Sequence, residues 1–197
     1  MSRTGPVTKD TSTIAFGLAQ VRVGAAAANV TSINPVLVAG NSIGALANTK
    51  FMGSVDYWKL ESGFPLLEDY TIPIRERASL ECAFKEVTPM NLAFAKGIDA
   101  TSGYTAAHSG EIGLGSISSP AFLRMEAFYT YPDGVNQMVI IFPRSQITSN
   151  MEIDLKSEDA AAVPITFEAK RADSETSGGS SVWDSKPMGR ILFRPVP

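Results

Sequence analysis

The clearest pattern in the chain is the alternation of apolar and polar residues in the segment from Met138 to Arg171. Met138–Phe142 is a short apolar run, Met151–Lys156 alternates strictly, and Val163–Arg171 alternates again. Period-two alternation is what an antiparallel strand with one buried face requires, and a short apolar run suits a buried strand. We therefore predict three strands here. Their polar faces carry both signs of charge and no catalytic grouping, which favours a surface over an active site.

Other segments of the chain show similar strand patterns. We predict strands over Ile14–Val23, Thr49–Leu60, Pro73–Glu86, Ala121–Tyr131, Val135–Phe142 and Met188–Phe193. The sequence Pro132-Asp133-Gly134 between two of them is typical of a turn and predicts a hairpin. A helix over Ala25–Ala28 is not predicted, because Gly24 and Asn29 bracket the alanines too closely.

One helix has clear start and stop signals. Thr88 is predicted as the N-cap, Pro89 occupies the first helical position, and Gly97 ends the helix, giving a helix within 88–97. It is only two to three turns long, so it needs the sheet to hold it in place. We expect a mostly β fold: an antiparallel β-sandwich or split barrel with one short flanking α-helix and long loops.

We treat 1–197 as one domain with two unusual segments. Residues 1–13 are polar and predicted as an N-terminal arm. Residues 60–72 contain glycine, proline and acids together with several large apolar side chains, and are predicted as an extended loop. A solvated loop rarely holds so many apolar groups, so this loop either folds back on its own domain or inserts into a neighbouring subunit.

Composition narrows the classes of function. The formal net charge is −3, which gives no support for a basic patch that grips nucleic acid. The chain has one cysteine, Cys82, and one histidine, His108, so neither an intrachain disulfide nor a metal cluster built on cysteine or histidine is expected. The N-terminus lacks the apolar core of a signal peptide, and no apolar run has the length of a membrane span. We expect no membrane association.

The candidate catalytic groups are weak. His108 lies in a Gly/Ser-rich stretch without a nucleophile motif, and Cys82 alternates with apolar residues as a core side chain would. Gly113-Leu114-Gly115 lacks the third glycine and the βαβ context of a phosphate loop. Glu152 and Asp154 are conceivable as a glycosidase pair, but neighbouring strands offer no aromatic sugar platform. We expect no enzyme and no cofactor.

Four stretches follow one another in a characteristic order. They are IAFGLAQVRVG near the N-terminus, TIPIRERASLECAFKE, TPMNLAFAKG, and FPRSQITSNMEIDLKSEDAAAVPITFEAKR. In this order, over about residues 14 to 193, the chain resembles the major tail tube proteins of tailed bacteriophages. The resemblance lies in the order of the elements, since no single motif is diagnostic.

This resemblance implies a structural virion protein. Its subunits would form hexameric rings that stack into a hollow tail tube, through which double-stranded DNA passes during genome ejection. Its partners would be further copies of itself, the tail tip or baseplate, the tail terminator and, where a sheath surrounds the tube, sheath proteins. The protein would be assembled in the bacterial host cytoplasm and located in the virion tail.

The resemblance also suggests roles for particular residues. A DNA conduit should repel phosphates, so the acids of the polar strand faces are candidates for the lumen. These lumen-facing candidates are Glu81, Glu152, Asp154 and Glu168. By similarity to the family's extended loop, the candidates for contact between rings are Phe64, Leu66, Leu67 and Tyr70.

Two alternative functions remain open at this point. One is the tube of a contractile injection or secretion system, which shares the fold and the hexameric ring. The other is a monomeric β-sandwich that binds carbohydrate by stacking. Its stacking residues would be Tyr57, Trp58, Tyr104 and Trp183.

Overall fold

The computed structural model describes residues 15, 17, 19–99, 111–115, 119–153, 155 and 160–197. Its strands are β1 (Gln20–Ala25), β2 (Leu46–Ser62), β3 (Leu67–Phe84), β4 (Leu123–Thr130), β5 (Asn136–Ile147), β6 (Val163–Ala169) and β7 (Arg190–Pro195). Its α-helices are α1 (Ala26–Asn29) and α2 (Pro89–Ala95), and single turns of 3-10 helix cover Ala39–Asn41 and Ser181–Trp183. The predicted mostly β fold is confirmed.

All these strands belong to one antiparallel sheet. The strand order is β1-β4-β5-β6-β3-β2, and β7 pairs with the part of β5 that β6 leaves free. The backbone N–H of Ile43 donates to the carbonyl of Val21 at 3.0 Å, so the chain just before β2 lies against β1. Since β1 and β2 are at opposite ends of the strand order, the sheet curls back around its own core.

The main core fills the inside of this curled sheet. It is built from the inward residues of the strands, such as Val21, Leu80 and Phe167, and α2 adds Ala93 and Phe94 to it. A second, smaller core lies on the outer face of β4 and β5. It contains Val30, Phe128, Val139, Ile141, Ala172 and Trp183.

Several local predictions are confirmed. The Thr88 side chain accepts a hydrogen bond from the N–H of Asn91 at 3.2 Å, which caps α2, and Gly97 has a positive φ of 77° where the helix has ended. Cys82 is buried on the inward face of β3. Pro132-Asp133-Gly134 connects β4 to β5, which pair as the predicted hairpin.

The predicted strand over Met151–Lys156 is wrong. The described residues of this segment form no strand, and Ile153 and Leu155 are exposed. An alternating segment becomes a strand only where a neighbouring edge can accept its backbone hydrogen bonds. β6 pairs with β3 along Val163–Glu168 and with β5 at Phe167–Ala169, and the described residues of the 151–155 segment join neither pairing.

The predicted loop over residues 60–72 is also corrected, because it is a β-hairpin. β2 continues to Ser62 and β3 begins at Leu67, which leaves only residues 63–66 as the turn. The strand predicted over Thr49–Leu60 therefore continues further than predicted, and Leu60, Leu67, Tyr70 and Ile72 belong to strands, whereas Phe64 and Leu66 lie in the turn.

The alanine-rich segment after β1 does form a helix, contrary to our prediction. Helix α1 is a single turn over Ala26–Asn29. The N–H of Ala26 donates to the carbonyl of Phe122 at 3.3 Å, and the Asn29 side chain donates to the carbonyl of Ala25 at 2.8 Å. These contacts with the sheet stabilise a helix that would be too short to form alone. Among the described residues, no helix is long and apolar enough to cross a membrane.

Candidate assembly surface

The hairpin of β2 and β3 extends beyond the rest of the described chain. β3 pairs with β6 only from Ser79 to Phe84, whereas its pairing with β2 continues to the turn. Residues 53–77 are all exposed. The stretch Gly53–Ser62 alone is ten residues, which corresponds to about 33 Å of strand. The hairpin is therefore a two-stranded ribbon without a covering layer.

Local interactions hold the two strands together near the turn. Gly63 has a φ of 84°, a backbone conformation that suits glycine, and begins the reversal. The Lys59 ammonium lies 2.5 Å from a Glu68 carboxylate oxygen, and the other oxygen of Glu68 accepts from the Thr71 hydroxyl at 2.6 Å. The hydrogen bonds from Lys59 and Thr71 lower the pKa of Glu68, so this carboxylate is charged at neutral pH.

The two faces of the ribbon differ in polarity. Trp58 lies opposite Ile72 and Leu60 opposite Tyr70 in the strand register, so these four side chains share one face, which we call the apolar face. Lys59, Glu68 and Thr71 lie on the other face. The exposed fractions of the apolar-face side chains are 48% for Trp58, 43% for Leu60, 62% for Tyr70 and 40% for Ile72.

An uncovered ribbon of this kind is unfavourable in an isolated chain. A two-stranded hairpin without a second layer is marginally stable in water, and a long exposed edge invites pairing with another strand. Together the exposed fractions equal about two whole apolar side chains, whose burial would contribute roughly 3–6 kcal/mol. The apolar face is therefore a surface that a partner would stabilise by covering.

The predicted ring-contact residues all lie on this hairpin. Phe64 and Leu66 are in the turn, Leu67 begins β3, and Tyr70 is on the apolar face. All four are strongly exposed, and Phe64 is entirely so. The structure therefore brings them together at the end of the ribbon, and their role in contacts between rings stays a prediction.

The predicted lumen acids are only partly brought together. Glu81 on β3 and Glu168 on β6 share the outer face of the sheet, each beside a lysine: Lys50 at 3.8 Å and Lys170 at 2.7 Å. The hydrogen bond from Lys170 is the main reason that the pKa of Glu168 lies below its usual range. Glu152 is exposed in the connection between β5 and β6, and Asp154 lies outside the described residues.

The proposed sugar-stacking set is dispersed. Trp183 is completely buried, and its indole N–H donates to the carbonyl of Val30 at 2.6 Å. Tyr57 and Trp58 are neighbours on one strand and therefore face opposite sides of the ribbon. Tyr104 lies outside the described residues. These side chains form no common platform.

Cys82 and the Gly113–Gly115 segment are among the weak catalytic candidates that the structure describes. Burial raises the pKa of the Cys82 thiol to about 12, so it stays protonated at neutral pH. His108 is outside the described residues, and the Gly113–Gly115 segment is exposed and irregular. The described part of the chain contains no group of three or more histidine, cysteine, aspartate or glutamate side chains that could hold a metal ion.

A buried ionic network was missed in the sequence. Arg124 and Glu126 are two residues apart on β4, both are fully buried, and they contact each other at 2.7 Å. The Arg124 guanidinium donates to the carbonyls of Asn29, Ser32 and Asn34, and Glu126 accepts from the N–H groups of Val36 and Leu37. The network holds the 29–37 segment against the sheet. Its only sequence signal was the alternation of two opposite charges in an otherwise apolar strand.

The comparisons with known proteins concern the fold. No family model matches the chain, and no curated protein matches it. Among solved structures, the chain is similar to one from an extracellular contractile injection system, the PVC sheath–tube complex in its extended state. The sequence identity is 12%, the match covers 91% of this chain and 89% of that chain, and the TM-score is 0.46.

The chain is also similar to a solved structure of the anti-feeding prophage cap, a cap that terminates a tube. Here the identity is 10%, the match covers 100% of this chain and 95% of that chain, and the TM-score is 0.41. Both structures come from tube assemblies. With identities of 10–12%, the role of this chain has to be argued from its own surfaces.

Proposed function

We propose that the protein is a structural subunit that polymerises into a hollow tube, the tail tube of a bacteriophage or the related tube of a contractile injection apparatus. The observation that carries this proposal is the projecting hairpin, with its uncovered apolar face and its free backbone edges. Such a surface suits a contact between copies, and we assign no catalytic role to the chain.

Assembly into a closed ring would cover the exposed strand edges of the hairpin. A strand edge remains available for uncontrolled pairing unless another strand covers it, and a closed ring leaves no such edge. The roughly 3–6 kcal/mol from one apolar face is comparable with the lower estimates of the free energy lost on association. One hairpin contact is therefore weak by itself. A subunit that donates one hairpin and receives others gains stability from several contacts, which favours a polymer over a simple dimer.

The finer details of the proposal come from the sequence resemblance. They are the hexameric ring, the passage of double-stranded DNA, and the location in a virion tail. On the outer face of the sheet, Glu81 and Glu168 are accompanied by Lys50 and Lys170, so a bore lined by this face would carry mixed charge. Such a surface would bind phosphates less than a basic one would.

The test compares assembly of the wild type with a variant that removes three of the four apolar-face side chains. In the test variant, Leu60, Tyr70 and Ile72 are each replaced by threonine, which keeps the strand propensity. The matched control is Tyr57→Thr, because Tyr57 is equally exposed but lies on the other face. Electron microscopy and light scattering at equal protein concentrations would measure assembly, and circular dichroism would check the fold.

We expect rings or tubes from the wild type and the Tyr57→Thr control, and folded monomers from the triple variant. Tubes formed equally well by the triple variant would overturn the role of the hairpin. A wild-type protein that remains monomeric at every concentration would overturn the proposed polymer itself.

A further inference from the structure

The last strand, β7, has an edge with which nothing in the described chain pairs. β7 pairs with β5 alone among the described strands, so the edge away from β5 is free. Ile191 lies opposite Ile140 of the main core, which places Ile191 and Phe193 on the inner side of the sheet. They are 44% and 65% exposed, and Arg190 and Arg194 alternate with them on the outer side. The edge therefore combines unpaired backbone groups with an apolar side and a basic side.

The hairpin has one regular edge, on β2, and one interrupted edge, on β3. The pairing of the two strands skips Asp69 and Ile74, so β3 contains two bulges, and Pro73 between them has no N–H to donate. Bulges and prolines are common devices that prevent pairing at an edge. β2 runs without interruption from Asn48 to Ser62, and in the described chain it pairs with β3 alone. The outer edge of β2 is therefore the edge that another strand can join.

β2 and β7 of one chain cannot pair with each other. β4 occupies one edge of β5, and both β6 and β7 pair with the other edge, at different positions along it. In the strand order β3 follows β6, and β2 follows β3. The hairpin therefore turns β3 towards β7 of the same chain, with a groove of about 200 Å³ between Ala78 and Ile191, and turns the outer edge of β2 away. Pairing of β2 with β7 requires a second copy.

The hydrogen bonds of β7 fix which of its residues can bond to an added strand. The N–H of Val196 donates to the carbonyl of Val135 at 2.7 Å, so it points at β5. Backbone groups alternate in direction along a strand, so Leu192, an even number of residues earlier, also points at β5. Ile191 and Phe193 therefore direct their N–H and C=O groups to the free edge.

The directions in β2 follow from its neighbours in the sheet. The N–H of Thr166 in β6 donates to the hydroxyl of Ser149, which follows β5, at 3.0 Å and so points away from β3. Glu81 lies opposite Thr166 and therefore directs its backbone groups to β2. Its partner Lys50 points back at β3, as do the other even-numbered residues of the unbroken stretch. The odd-numbered residues, among them Lys59, present their backbone groups at the free edge.

These directions allow a parallel register in which the backbone of Lys59 bonds to the residues on either side of Leu192. The side-by-side pairs are then Trp58 with Ile191, Lys59 with Leu192, Leu60 with Phe193 and Glu61 with Arg194. Apolar side chains meet on one face and opposite charges on the other, and both kinds of pair stabilise neighbouring strands. A shift of two residues in either direction would put Lys59 beside Arg190 or Arg194. Antiparallel addition would put the apolar face on the arginine side of β7.

We propose that residues 58–61 of β2 add as a parallel strand to the free edge of β7 in a second copy. This inference rests on the proposed self-assembly and names its docking site. The two edges are not alike, so the contact is head-to-tail. Contacts of that kind produce rings or open chains of copies and do not stop at a dimer.

Disulfide trapping tests both the contact and its register. Four proteins are made, each with one new cysteine: Trp58→Cys, Leu60→Cys, Ile191→Cys and Phe193→Cys. Each hairpin variant is mixed with each β7 variant, which carries a larger tag, and the mixtures are exposed to a mild oxidant. Side-by-side residues of paired strands lie about 4.8 Å apart, within reach of a disulfide, whereas residues two positions out of register lie about 8 Å apart, beyond it. Cys82 is buried and should not interfere.

We expect the matched pairs, Trp58 with Ile191 and Leu60 with Phe193, to give about tenfold more mixed disulfide than the crossed pairs. The same four proteins supply both sets, so the effect of each substitution on assembly cancels. Equal yields from the two sets, including no product from either, would overturn the contact, and higher yields from the crossed pairs would overturn its direction. The product is read on denaturing gels, so it does not depend on visible tubes.

A charge exchange tests the other face of the contact. Glu61→Arg would bring two arginines together between copies, and Arg194→Glu would bring two glutamates together. Each single variant should raise the protein concentration at which assembly begins by about tenfold. The chain that carries both substitutions should assemble near the wild-type concentration. Arg194 also donates to Gln137 of its own chain, and loss of that bond alone would not be rescued by Glu61→Arg.

The outcomes separate this inference from the proposed function. If the exchange does not restore assembly, while the triple threonine variant of the hairpin stays monomeric, this docking site is wrong and the proposed function stands. If the triple variant assembles as well as the wild type, the hairpin has no role and both proposals fail. A wild-type protein that stays monomeric, together with cysteine variants that give no mixed disulfide, would also overturn both.

Discussion

The buried pair of Arg124 and Glu126 allows a quantitative prediction about stability. One Glu126 oxygen accepts from the Arg124 Nε at 2.7 Å and from the N–H of Val36 at 2.9 Å. The other oxygen accepts from the N–H of Leu37 at 3.0 Å. Burial lowers the pKa of Arg124, and the charge of Glu126 opposes that shift. The substitution Glu126→Gln keeps the shape of the side chain and removes its charge.

The magnitude follows from what the substitution leaves behind. The Arg124 guanidinium would stay buried without its counter-charge, and the amide group of glutamine cannot accept from both neighbouring N–H groups. Removing one partner of a buried ion pair typically costs about 3–5 kcal/mol. For a chain of this length each kcal/mol lowers the unfolding temperature by about 2–4 °C, so we expect a decrease of roughly 6–20 °C.

The assays are urea unfolding, which gives the free energy, and thermal unfolding of the monomer. Assembly would add its own stabilisation, so Glu126→Gln is measured in the background of the triple threonine variant of the hairpin. Glu175→Gln is the control, because Glu175 also pairs with an arginine but is largely exposed, and it should leave the free energy of unfolding unchanged. Hydrogen exchange of the Val36 and Leu37 amides should become faster in Glu126→Gln.

The double variant Arg124→Met with Glu126→Leu completes the test. Replacing a buried ion pair by apolar residues of similar size is often nearly neutral, so the double variant should be more stable than Glu126→Gln alone. A loss below about 1 kcal/mol in Glu126→Gln would refute the reasoning, because a cost that small is typical of exposed pairs.

Two further predictions concern individual side chains. Since burial raises the pKa of Cys82 to about 12, its thiol should stay protonated and unreactive towards alkylating reagents from pH 7 to pH 9 in the folded protein. Mass spectrometry should show rapid labelling only after denaturation, and labelling of the folded chain at the rate of a free thiol would contradict the burial. Thr88→Ala should lower the free energy of unfolding by about 1 kcal/mol, because it removes the cap of α2. Thr88→Ser should retain most of that stability in the same urea titration, and equal losses in both variants would argue against the capping role.

The predictions that succeeded rest on interactions between residues close in the sequence. The cap at Thr88, the end of α2 at Gly97 and the turn before β5 involve neighbours within a few positions. The inward positions of β3 follow from period-two alternation alone. Such features can be recognised before the position of any other element is known.

The predictions that failed depend on partners far away in the chain. Met151–Lys156 has the pattern of a strand, but its described residues pair with neither β6 nor any other strand. Residues 60–72 looked like a loop because of their glycine and proline, but β2 and β3 pair through them. The network of Arg124 joins residues about ninety positions apart. A local sequence pattern shows neither which strand edges are paired nor which residues make such long-range contacts.

The sequence by itself determined the mostly β class, the capped helix, and an unusual concentration of apolar residues between positions 60 and 72. The tertiary structure decided what those residues form. Between two irregularities in the register, Trp58 lies opposite Ile72 and Leu60 lies opposite Tyr70. This register places these four side chains on one face of a ribbon. It also leaves the outer edge of β2 without a strand partner among the described residues. The physical reason is that a side chain's neighbours within a strand are given by the chain, whereas its neighbours across a sheet are decided by which edges pair.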